Sequence, residues 1–153
     1  MTNAQRAEKF FRNNFLCSQS ILLTYADLFG MEAETAARIA SPFGGGVARR
    51  GDTCGAVNGA LMVLGLNFGH TSGDDLQSKE MTYQNVTDFI SQFELRHGSI
   101  LCRELLNIDI SSEQGLQTAR DSDLFTTRCP RFVHDAAEIL DQILFTEEEM
   151  QTP

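Results

Sequence analysis

The chain has 153 residues, 42% of them hydrophobic and 22% charged, enough to bury a core without disulfide staples and in keeping with one domain. Its formal charge of −9, with Lys9 and Lys79 the only lysines, excludes the basic stripe of a nucleic-acid surface. No apolar run is long enough to span a bilayer, and the polar start Met1-Thr2-Asn3 leads into no signal-peptide core, so a cytoplasmic, reducing location is expected.

From the amino terminus, Ala4 to Leu16 reads as a helix, with Phe10, Phe11, Phe15 and Leu16 apolar and Arg6, Lys9 and Arg12 opposite. Asn13 and Asn14 interrupt this pattern, which puts Cys17 near the start of a second helix through Phe29, stopped by Gly30. Met31 to Ala40 is a short helix closed by Ser41-Pro42. The glycine-dense stretch Gly44-Gly45-Gly46 follows, then Arg49-Arg50-Gly51-Asp52-Thr53-Cys54.

Asp52 or Thr53 is the expected N-cap of the next helix, because a short side-chain oxygen can accept an orphan N–H there. Cys54 then falls in the first turn of a helix running to about Asn67 or Gly69. Gly55, Ala56, Gly59 and Ala60 leave one face of it almost without side chains. Glycine costs roughly 1 kcal/mol relative to alanine inside a helix. Close approach of another backbone, within the chain or across a homodimer, or of a cofactor, is the expected compensation.

His70 to Gly73 is a turn. Asp74 and Asp75 suit the start of a helix reaching about Arg96, in which Val86, Phe89, Ile90 and Phe93 form one apolar face. His97-Gly98 ends it, and Ser99 caps a short helix with Cys102 in its first turn. Asn107 to Thr127 is the least regular region, with Ser111-Ser112-Glu113 expected to cap a turn or two. Cys129-Pro130 opens the last helix, since proline favours the first helical position, making Cys129 its expected N-cap. Val133, Ala136, Ala137, Leu140, Ile143 and Leu144 give that helix a continuous apolar stripe. Almost nothing alternates with period two. The fold class is therefore all-α, a compact bundle of about six helices over residues 1–146, with 147–153 an acidic, frayed tail.

Four cysteines, Cys17, Cys54, Cys102 and Cys129, are too widely spread for a C-x-x-C zinc or thioredoxin-like motif, and the lack of C-x-x-C-H excludes covalent haem. In a reducing compartment they are not expected to be disulfides. Each one alone suits a buried core thiol. Their shared context is the signal: all are expected at helix starts, where the dipole favours a thiolate. Thiolates gathered this way suit metal ligation, cluster binding or dithiol redox chemistry. Cys54 is expected to be the most activated.

Gly45, Gly46, Gly55, Gly59 and Arg49 are the expected cofactor-contacting positions around these thiols. Arg49 and Arg50 either hold thiolates ionised, receive an anion, or are ordinary exposed arginines. The glycine loop lacks the G-K-[ST] and the preceding strand of a phosphate loop, so positive φ or close packing explains it better. His70, His97 and His134 show no ligand spacing, and no serine–histidine–acid arrangement supports a hydrolase.

Cys17-Ser18-Gln19 before an apolar helix, Gly44-Gly45-Gly46 before Cys54-Gly55-Ala56-x-x-Gly59, and lone Cys102 and Cys129 together resemble the C_GCAxxG_C_C family. The resemblance covers Cys17 to Leu144. It implies a redox-active protein defined by four cysteines and a C-G-A-x-x-G core. A related region of split-Soret-type cytochromes carries an iron–sulfur centre beside its haems. The resemblance thus implies an iron–sulfur cluster or other thiolate-bound metal here, without the haem, serving a redox partner the sequence does not name. The rival expectation is a small helical binding or sensor module with a structural thiolate–metal site or merely buried cysteines.

Overall fold

The computed structural model describes residues 1–151, and no strand occurs among them. The α-helices are α1 (Asn3–Arg12), α2 (Cys17–Tyr25), α3 (Ala33–Ala40), α4 (Gly55–Phe68), α5 (Leu76–His97), α6 (Cys102–Leu105), α7 (Glu113–Asp121), α8 (Leu124–Thr127), α9 (Cys129–Leu144) and α10 (Glu147–Gln151). Short 3-10 turns at Ala26–Phe29 and Ser41–Phe43 extend α2 and α3.

The all-helical class is as expected, but about six helices is too few. The excess lies in α7, expected only as a turn or two, in α8, four residues long, and in α10. A single turn is too brief for a 3.6-residue period to show. Within the acidic tail Glu147–Gln151 forms α10, and residues 152–153 lie outside the described residues.

The central element is α2, buried from Ser20 to Ala26 and touching α1, α3, α4 and α9. Its buried hydroxyls are all satisfied: Ser18 donates to Ala40 O at 2.8 Å, Ser20 to Leu16 O at 2.8 Å and Thr24 to Ser20 O at 2.8 Å. Tyr25 Oη donates within 2.7 Å of Asp141 Oδ1, tying α2 to α9. Around α2 the core gathers Phe89 and Phe93 of α5, Val57, Val63 and Leu64 of α4, and Val133, Ala136, Ala137 and Leu140 of α9. Those α5 and α9 stripes are the ones the periodicity predicts.

The small-residue face of α4 is spent within the chain. A Cβ at Gly59 would meet Ser18 O at 2.8 Å and Ile21 Cβ at 2.9 Å, so α2 supplies the close backbone approach. Helix α1 stops at Arg12, because Asn13 caps it and Asn14 turns left-handed at φ 72°. Phe15 and Leu16, expected inside that helix, lie beyond it and are 37% and 41% exposed. Gly30 (φ 65°) and Gly98 (φ 85°) end their helices in the left-handed conformation that glycine adopts without strain.

Candidate functional site

Three of the four cysteines open a helix and the fourth caps one: Cys17 begins α2, Cys102 begins α6, Cys129 begins α9, and Cys54 is the N-cap of α4. The expected caps shift accordingly. Cys54 replaces Asp52 or Thr53, because Thr53 pairs with Leu101 in an isolated antiparallel bridge and Asp52 is held by Arg50 at 3.0 Å and Arg103 at 3.2 Å. Cys129 lies one residue inside the cap, Arg128 taking that place. Ser99 caps at a distance, accepting the N–H of Leu101 at 2.9 Å and donating to Glu104.

The bridge brings two distant cysteines together. Cys54 N donates to Ile100 O at 2.7 Å and Cys102 N to Asp52 O at 2.7 Å, so the approaches to α4 and α6 run side by side. Before them the chain makes a left-handed turn: Gly45, Gly46, Val47, Ala48 and Arg49 have φ of 67°, 69°, 67°, 49° and 65°. For Val47, Ala48 and Arg49 this conformation costs roughly 1–2 kcal/mol each, most awkwardly for β-branched Val47. Wide backbone bonds close the turn, from Ala48 N to Pro42 O, Gly51 N to Gly45 O and Asp52 N to Gly46 O. Strain held in place by surrounding bonds is a hallmark of functional loops.

The turn aims a donor at a thiol. Cys17 is pulled down to about 7, first by a hydrogen bond from Cys54, then against burial by backbone bonds from Gly45, Ser18 and its own N–H. Cys54 moves the opposite way, well above the ordinary thiol range, because it shares its proton with Cys17, is buried, and faces the charge on Cys17. Cys17 receives backbone N–H bonds from Gly45, Ser18 and itself, whereas Cys54 receives one from Ala56, so the backbone favours the shared charge on Cys17, where the sequence pointed to Cys54. Burial and the charge on Cys17 push Cys102 up to about 12 and raise Cys129 further.

All four cysteines line one cavity of about 700 Å³. Its wall adds Phe11, Phe15, Leu16, Leu105, Leu106, Ile110, Phe125 and Phe132, with Gly44, Gly45, Ala48, Arg49 and Gly55 from the turn and the start of α4. Of the expected contact positions, Gly45, Gly55 and Arg49 face this cavity. Gly46 and Gly59 do not line it; Gly46 packs behind Cys102, and Gly59 against Ser18 and Ile21 of α2. A Cβ at Gly55 would collide with Cys17 Sγ and lie 2.9 Å from Phe43 O. One at Gly46 would lie 2.8 Å from Cys102 Cβ and 2.6 Å from Asp52 N. Both glycines therefore keep cysteines where they are.

Arg50 is turned away in its pair with Asp52, and none of the three histidines lines the cavity. His97 is instead buried against Phe93 and Phe132, with Nε2 2.9 Å from Asp135 Oδ2. Arg12 and Arg120 also line the cavity, and sequence reasoning missed them. They come from α1 and α7, and nothing local distinguishes them from other surface arginines.

Among the described residues, only His134, Asp135 and Glu138 bring three Cys, His, Asp or Glu ligand atoms within 4.8 Å of one another. Arg96 neutralises that cluster, 2.7 Å from Glu138 and 3.6 Å from Asp135. The four sulfurs ring their cavity rather than close on a point. A tetrahedral zinc with bonds near 2.3 Å needs sulfurs about 3.8 Å apart. The donor set is the all-thiolate one that iron–sulfur clusters use, and no three of the four sulfurs lie within 4.8 Å of one another.

The fold and site define an all-helical protein with four unpaired thiols around one cavity. Its family follows from residues 15–143, which match the family model described as "Putative redox-active protein (C_GCAxxG_C_C)", and the chain belongs to that family. Neither the curated proteins nor the solved structures contain a match.

Proposed function

We propose that the four cysteines act as one redox centre and serve as the ligand set of an iron–sulfur cluster. The observation that carries this reading is the shared cavity, lined by all four thiols although each comes from a different helix start. A dithiol would use only two of them. The cluster would supply one-electron transfer, with a potential tuned by sulfur hydrogen bonds, charge and solvent exposure.

The chain's own part is to hold the ligands ready. Gly45 and Ser18 N–H groups stabilise charge on the Cys17 sulfur, the N-termini of α2, α4 and α9 face the same cavity, and the apolar wall limits water. No helix among the described residues is long and apolar enough to cross a membrane, and four free thiols suit a cytoplasmic location. The electron partner is a further protein or small carrier.

A second reading rests on the hydrogen-bonded Cys17–Cys54 pair. There Cys17 is the nucleophile and Cys54 the resolving thiol, the pair closing to a disulfide as two electrons and two protons pass to an acceptor disulfide.

The test is an absorption spectrum of protein purified without air, with iron, sulfide and zinc measured on the same sample. Visible charge-transfer bands with iron and sulfide, lost in each of the four Cys→Ser variants, are expected. A colourless, metal-free protein in which only Cys17 and Cys54 oxidise together would replace the cluster with the dithiol. Stoichiometric zinc in a colourless protein would leave only the structural module.

A further inference from the structure

The cavity around the cysteines is larger and more selective than four sulfurs require. Its volume of about 700 Å³ lies within the range of small-molecule sites, roughly 300–1,000 Å³. The chain carries 21 acidic residues against 12 basic ones, yet no Asp or Glu is among the described residues lining this space, while three arginines are. Arg12, Arg49 and Arg120 reach it from α1, the left-handed turn and α7.

Arg12 is committed to Glu8 at 2.7 Å. The guanidinium groups of Arg49 and Arg120 have no ion pair or hydrogen bond among the described residues. In a protein of charge −9 with abundant surface carboxylates, two unpaired guanidiniums on one cavity are available to an external anion. Phe15 and Leu16 are exposed at the same cavity, 37% and 41%, and Phe125 continues the apolar wall. Guanidinium favours planar, two-oxygen anions such as carboxylate, and the aromatic wall favours an apolar body.

We infer that this cavity binds a small amphipathic carboxylate, its anionic end on Arg49 and Arg120 and its apolar body against Phe15, Leu16 and Phe125, beside the thiols. The inference deepens the redox reading by giving the centre a substrate class, and its binding step does not depend on what the cysteines carry.

The probes are naphthalene-2-carboxylate and the neutral, similarly shaped naphthalene-2-methanol, titrated calorimetrically into the anaerobically purified protein. The carboxylate should bind one per chain and at least tenfold more tightly than the alcohol. Arg49→Gln and Arg120→Gln, each exposed and checked for unchanged helicity, should each weaken the carboxylate three- to tenfold and leave the alcohol unchanged. In the metal-free, reduced protein, saturating carboxylate should also slow iodoacetamide alkylation of Cys17.

Equal affinity for the two probes, or carboxylate affinity unchanged in both variants, would overturn the inference. If the arginines serve only to balance thiolate charge, the variants will raise the alkylation pKa of Cys17 without changing carboxylate affinity, which also overturns it. Absence of iron would end the cluster reading and leave this binding result standing.

Discussion

Gly55 and Gly65 lie on the same helix and make opposite predictions for the same substitution. Adding a methyl group at either should lower the conformational cost of the helix, worth roughly 0.5–1 kcal/mol. At Gly65 nothing lies within 4 Å of the new Cβ, so Gly65→Ala should stabilise by about that amount. At Gly55 the Cβ would collide with Cys17 Sγ and crowd Phe43 O at 2.9 Å and Ser18 N at 3.1 Å. Two of these three atoms are backbone and cannot swing away, so α2 must back off. Overpacking against a sulfur and two backbone atoms falls in the upper part of the usual range, about 2–3 kcal/mol, and subtracting the propensity gain leaves a net loss of about 1–2.5 kcal/mol. For a chain of this size that is a fall of roughly 0.5–1 M in the urea midpoint, against a small rise for Gly65→Ala. The second readout is Cys17, whose sulfur must leave the Gly45 N–H, so its alkylation pKa should rise. Two variants that both gain stability, with Cys17 reactivity unchanged, would refute the account of why the C-G-A core needs its first glycine.

In the metal-free, reduced chain, Cys17 alkylation should titrate near pH 7 and shift upward in Cys54→Ala, which removes the hydrogen bond holding the thiolate. The linked stability follows with a definite sign. From about pH 7 to the ordinary thiol pKa of about 8.5 only the unfolded chain still holds the Cys17 proton, so stability rises. Above that, the raised Cys54, Cys102 and Cys129 stay protonated in the fold while unfolded thiols ionise, so stability falls. Urea midpoints across this range should peak near the ordinary thiol pKa, and Cys17→Ser should remove the rising limb. In the turn, Gly46→Ala should lose at least about 2 kcal/mol, since the Cβ meets backbone atoms of Asp52 and the Cys102 Cβ. Val47→Gly, relieving a β-branched residue at φ 67°, should be neutral or stabilising by about 1 kcal/mol; thermal unfolding of both variants checks the pair, and a destabilised Val47→Gly would mean its side-chain packing outweighs the strain.

Much of the scaffold is legible in the chain because its signals are local. The i, i+3, i+4 and i+7 spacing of Val86, Phe89, Ile90 and Phe93 marks the buried side of α5. Gly30 and Gly98 stop their helices at positive φ, and Pro130 places the start of α9 within one residue. The helix-start position of every cysteine is likewise read from its flanking residues. Phe15 and Leu16 mislead, because an apolar residue looks the same in a helix face as on the rim of a cavity. The short α8 gives no period to read.

Sequence alone therefore determines an all-helical chain with four cysteines at helix starts and a glycine-rich approach to the second. The tertiary structure decides what those features do. It pairs Cys17 with Cys54 and brings N–H groups of Gly45 and Ser18 to the first sulfur and of Ala56 to the second, which favours the charge on Cys17. It decides that Gly55 and Gly59 make room for α2 within the same chain. It gathers Arg12, Arg49 and Arg120 around one cavity from elements far apart in sequence. Ionisation, close packing and charge selectivity are all through-space quantities. Local spacing carries no record of which distant atoms will lie within a few ångströms.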